Sequence, residues 1–82
     1  MNRQQIKQVF DGIIQKRGGT PSEDEGLELR AVGFRSLDFS EMALRVEREV
    51  GRELNFDAAL MRSIRTIDDV LSFFEKSISQ KS

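Results

Sequence analysis

The stretch GFRSLDFSEMALRVE, residues 33 to 47, sets a single hydroxyl, Ser36, at the head of an amphipathic run. A serine nucleophile needs a neighbouring base to take its proton, yet the chain contains neither histidine nor cysteine. Without histidine it lacks the side chain whose ordinary pKa best suits proton transfer near neutrality. Without cysteine it has no disulfide and no thiolate ligand, which fits a reducing compartment. A self-sufficient hydrolase or metalloenzyme is therefore not expected, and no metal site is assigned. Two readings of Ser36 remain. It is a helix N-cap, contributing about 1 kcal/mol through a backbone N–H, or it is a hydroxyl on which another protein acts.

The elements that must position Ser36 follow from composition and spacing. The chain has 82 residues, 38% hydrophobic and 33% charged, which places it with folded, helix-rich domains rather than disordered segments. One domain over residues 1–82, with a modest core, is expected. Acids and bases interleave to a net charge of −1, and tryptophan and tyrosine are absent, so nucleic-acid binding has little support. No apolar run approaches the roughly 20 residues of a membrane span. The opening MNRQQIKQVF lacks a continuous apolar stretch, so it does not read as a secretory signal. A cytoplasmic monomer with no membrane insertion is expected.

Ile6, Val9, Phe10, Ile13 and Ile14 recur at helical spacing and predict a first helix over residues 3–17, ended by Gly18 and Gly19. The next eighteen residues form a long loop, and loops of that length usually carry function or disorder. Its second half carries Leu27, Leu29, Val32 and Phe34, which should fold back over the helices. Leu27 and Leu29 alternate as in a strand, but no second strand is visible to pair with them.

A second helix is predicted from Leu37 to Val50, with Gly51 as the left-handed residue after its end. Phe39, Met42, Ala43, Val46 and Val50 fall on one face, and each large member should contribute roughly 1.5–3 kcal/mol when buried. Leu37 and Leu44 fall on the other side, flanked by Glu41 and Arg48. Leu54 and Phe56 can dock, and Asp57 to Met61 predicts a short third helix. Thr66 opens TIDD, a capping-box pattern with Asp69 at the third helical position. Ile67, Val70, Leu71, Phe74 and Ile78 then repeat helically, and the closing SQKS is expected to fray. The architecture is all-α: three main helices, a short third one, and a long loop between the first two.

LRAVGFRSLDFSEMALRVEREVGREL, with Ser36 in a D-S-L-like setting at the start of the second helix, resembles the acyl carrier protein family. The likeness runs over essentially the whole chain, from the amphipathic first helix to a last helix opening with a threonine and an aliphatic residue. It implies a four-helix acyl-carrier-like bundle. It also implies that Ser36 is the covalent attachment point of a 4′-phosphopantetheine cofactor. A phosphopantetheinyl transferase supplies that arm from coenzyme A with a divalent metal ion. The arm's thiol then carries acyl groups as thioesters between acyl-loading and acyl-using enzymes, so the chain would be a carrier and not an enzyme. Ser36 then needs no activating partner of its own, and the missing cysteine becomes coherent.

The resemblance further implies that the second helix is the partner-recognition element. Arg35, Leu37, Asp38, Glu41, Leu44, Arg45 and Arg48 are the expected partner-facing residues, with the two leucines as apolar centre. Any acyl-chain cavity would lie near Phe39, Val46, Ile64 and Leu71, although Phe39, Phe73 and Phe74 would leave it little room. Two features depart from the family. Arg35 stands where aspartate usually precedes the serine, and its guanidinium could pair with a phosphodiester. The second helix also sets Asp38, Glu41, Glu47 and Glu49 against Arg45 and Arg48, a net of −2, in a family that is typically strongly acidic. The arginines read either as i,i+4 pairs, Glu41 with Arg45 and Arg45 with Glu49, or as a changed charge code. The changed code would point to a carrier of a specialised lipid or polyketide-type pathway rather than the general one of fatty acid biosynthesis for membranes. An aminoacyl or peptidyl carrier, and an unmodified carrier-like interaction module, are the alternatives.

Overall fold

The computed structural model describes residues 1–79; of the SQKS expected to fray, Ser79 is instead the last residue of a helix, and Gln80 to Ser82 lie outside the described residues. Four α-helices are present among the described residues: α1 (Arg3–Lys16), α2 (Ser36–Val50), α3 (Ala58–Arg62) and α4 (Ile67–Ser79). A 3-10 turn, Leu29–Val32, interrupts the loop between α1 and α2.

Three of the four helices, α1, α3 and α4, start on a side-chain cap. Asn2 accepts from the N–H of Gln5, and the Gln5 amide oxygen accepts from the N–H of Asn2, both at 2.8 Å. Asp57 accepts from the N–H of Ala59 at 2.8 Å and opens α3. At α4 the Thr66 hydroxyl accepts from the N–H of Asp69 at 3.1 Å, and the Asp69 carboxylate returns the contact at 3.0 Å. The TIDD pattern is thus a full capping box, with aspartate doing the work of glutamate. At the far end of α2, Gly51 takes φ +75°, and its N–H donates to the Glu47 carbonyl at 2.9 Å. Only glycine enters that left-handed region without strain.

Helix α1 packs against α2 and α4. Ile6, Phe10, Ile13 and Ile14 meet Met42, Val46, Ile67, Val70, Leu71 and Phe74, all nearly or fully buried. Removing such side chains from water is the main stabilising term. Phe39, Phe56, Phe73 and Phe74 form a second, aromatic part of the interior, with ring centroids 5.3 to 5.8 Å apart.

The long loop packs across the bundle as its apolar residues predict, with Phe34 buried and stacked on Phe10 at 4.6 Å. Contrary to expectation, the strand-like pair does find a partner. Glu28 forms an antiparallel bridge with Thr66. The N–H of Leu29 donates to the Arg65 carbonyl at 2.9 Å, and that of Ile67 donates to the Leu27 carbonyl at 3.0 Å. The partner is the short link before α4, too brief to show alternation of its own. Arg3 adds a charged tie, since its guanidinium contacts Glu25 of the loop together with Asp68 and Glu75 of α4. Those carboxylates, Glu25 foremost, raise the Arg3 pKa further above its ordinary value.

Candidate functional site

The chain turns into α2 through Gly33, left-handed at φ +75°, followed by the buried Phe34. Arg35 is extended and occupies the N-cap position, but its side chain is no cap. Asp38 serves instead. Its carboxylate accepts from the N–H of Arg35 at 2.9 Å and pairs with the guanidinium of Arg17 just beyond α1. Ser36 is consequently the first residue of α2 rather than its N-cap. Asp38, at the third helical position, supplies the return half of a capping box, bonding the N–H of the N-cap residue Arg35. The Ser36 side chain is exposed, and among the described residues its hydroxyl has no hydrogen-bond partner. In this geometry Ser36 does not act as the N-cap.

Ser36 stands on the edge of an open cleft of about 730 Å³. One wall is the loop, with Leu29, Arg30 and Phe34; the second is the start of α2, with Phe39 and Ser40; the third is Met61, Ile64 and Arg65. Phe39 and Ile64 line it as expected. Val46 and Leu71 do not: both are fully buried in the helical core. Their place at the cleft is taken by Leu29, Phe34 and Met61.

The residues expected to face a partner divide. Leu37 and Leu44 are exposed, 81% and 61%, two turns apart on one side of α2. Arg35 and Arg48 are exposed as well. Glu41 and Arg45 are half-buried and pair at 3.5 Å, while Glu41 also meets Lys16 of α1 at 3.0 Å. The other expected pair, Arg45 with Glu49, is not formed among the described residues. Asp38 is only 6% exposed and turned inward to cap α2, so it does not belong to the outer face. Helical spacing alone put it outside, because spacing takes no account of a carboxylate bending back to its own helix start.

Three contributors were not foreseen. Arg17 holds Asp38 from twenty-one positions away, and no local pattern signals that contact. Met61, exposed on α3, lies in a helix of five residues, too short to show a face. Arg65 enters the cleft only because the bridge to Glu28 folds the link before α4 against the loop. Nearby, Asp69 accepts from the N–H groups of Arg65 and Thr66, and these bonds hold its carboxyl below the usual carboxylate range.

Among the described residues no helix is long and apolar enough to cross a membrane. No protein-family model and no curated protein matches the chain. A solved structure does: an acyl carrier protein of Thermotoga maritima superposes with a TM-score of 0.68, over 95% of this chain and 92% of that one, with 24% of residues identical. The all-helical, four-helix fold is therefore that of an acyl carrier protein in architecture.

Proposed function

We propose that this chain is an acyl carrier whose Ser36 bears a 4′-phosphopantetheine arm. The observation that carries the reading is the state of Ser36: an exposed hydroxyl, committed to no bond, on the first residue of α2 beside a cleft. A structural serine at this place would be expected to cap the helix, and here its hydroxyl makes no such bond. Attachment exchanges the O–H of Ser36 for an O–P bond. The proton passes to a base of the phosphopantetheinyl transferase, and the adenosine bisphosphate part of coenzyme A departs. The chain's own role in that step is to hold Ser36 rigid and accessible, through Asp38, Arg17 and the buried Phe34.

The residues beside Ser36 fit such an arm. The cleft offers apolar surface from Leu29, Phe34, Phe39, Met61 and Ile64, together with guanidinium groups. When bound, the arm supplies a thiol that holds acyl groups as thioesters. Leu37 and Leu44 form the apolar centre of the surface on which loading and acyl-using enzymes dock, with Arg35, Arg45 and Arg48 around them. The unlike charge pattern of α2 favours partners of a specialised lipid or polyketide-type pathway.

Intact mass after co-expression with a broad-specificity transferase tests the reading. A gain of one phosphopantetheine unit, lost in Ser36→Ala, is expected. No gain with several transferases would leave an interaction module without an arm.

A further inference from the structure

Three arginines, Arg30, Arg35 and Arg65, line the cleft beside Ser36, against one acidic residue, Glu28. Glu28 is already engaged, 2.8 Å from the Nε of Arg30. Arg35 and Arg65 have no carboxylate partner within salt-bridge distance among the described residues.

The acids that follow them in sequence are bonded to backbone. Asp38, three residues after Arg35, gives its carboxylate to the N–H of Arg35 and to Arg17. Asp69, four residues after Arg65, gives its carboxylate to the N–H groups of Arg65 and Thr66, each at 3.0 Å. Each acid thus bonds the backbone of the arginine whose side chain it could otherwise neutralise. Two arginines without a salt bridge thus line one cleft from different walls, the start of α2 and the entrance to α4. A lone exposed arginine needs no explanation, since water solvates it. Two that share a cleft with an uncommitted hydroxyl and an apolar lining make a site for an anion with an organic substituent.

We infer that Arg35 and Arg65 form an oxyanion seat for a phosphate ester in the cleft beside Ser36. Two sources share that chemistry. One is the phosphodiester on Ser36 itself, and this half rests on the carrier reading above. The other is free phosphate. Seating the tethered ester would draw the root of the arm along the cleft rather than out into solvent.

The unmodified protein, labelled with nitrogen-15 and titrated with inorganic phosphate at low ionic strength, tests the seat directly. Saturable shifts are expected at the amides around Ser36 and Ile64 to Ile67 and at the Nε of both arginines. Arg35→Gln with Arg65→Gln should weaken that binding by about tenfold or more, as loss of charge-assisted bonds implies. Arg62→Gln, outside the cleft lining, should leave it unchanged. Shifts that never saturate, or that survive the double substitution in a folded protein, overturn the seat. A second arm compares the protein before and after arm attachment, without added phosphate. Movement of the same amides, reduced in the double variant, supports the tethered source. Phosphate binding without such movement overturns that source and leaves a free-anion seat. Absence of any mass gain bears on the carrier reading alone, because the phosphate titration needs no arm.

Discussion

The Asp38 carboxylate is shared between the guanidinium of Arg17, just past the end of α1, and the N–H of Arg35, one residue before Ser36. One side chain therefore both caps α2 and fastens its start to the neighbouring helix. Asp38→Ala removes both bonds and should cost about 1–2 kcal/mol, read as a lower midpoint in chemical denaturation. Arm attachment at Ser36 should slow in the same variant. An unchanged midpoint would show the contact to be idle.

Ser36→Ala separates a tether from a cap. The hydroxyl makes no bond, so stability should stay within about 0.5 kcal/mol of the parent. An N-cap serine would lose about 1 kcal/mol. Thermal unfolding of the two unmodified proteins decides between these values.

Leu37 and Leu44 are exposed and contribute little to the core. Leu44→Ala, alone or with Leu37→Ala, should leave the denaturation midpoint in place. Loading by a cognate partner enzyme should fall by an amount equivalent to about 1–2 kcal/mol, the scale of an interface anchor. Unchanged loading kinetics would remove these residues from the docking surface.

The two aromatic positions should behave differently. Phe74 is fully buried, and Phe74→Ala should cost about 3–5 kcal/mol, a large part of the 5–15 kcal/mol typical of a domain. Phe39 is half-buried on the cleft wall. Phe39→Ala should cost clearly less while widening the cleft, and urea titrations of the two variants would rank them. Equal losses would mean that Phe39 belongs to the core.

Asp69 gives a pH dependence with a definite sign. Its folded-state pKa lies below the unfolded one because two N–H groups bond the carboxylate. Its contribution is present in full above the unfolded pKa and is lost as pH falls through the folded value. The parent and Asp69→Asn should therefore differ most at neutral pH and converge in acid. Stability curves that run parallel across the acid range would contradict the capping contact.

Much of this fold was legible in the spacing of apolar residues. Ile6 to Ile14 and Ile67 to Ile78 repeat every three or four positions, and no other element competes for them. Gly51 and the TIDD box marked helix ends through local chemistry, which sequence displays directly. The exposed serine and the two outward leucines were likewise readable. What stayed hidden depends on contacts between distant residues. Ser36 reads as an N-cap until Asp38 is seen to reach Arg35 with Arg17 behind it. The cleft could not be placed near Val46 and Leu71 or away from them without knowing where the four phenylalanines meet. Arg65 looked like linker until the bridge between Glu28 and Thr66 brought it beside Ser36.

That bridge also decides which parts can yield. Leu27 and Leu29 bond to residues 67 and 65, so the loop and the entrance to α4 form one frame. Helix α3, five residues long, hangs between that frame and the segment after Gly51. A change at Leu29 would therefore reach the entrance to α4 and the cleft together, whereas a change at Met61 would reach the cleft alone.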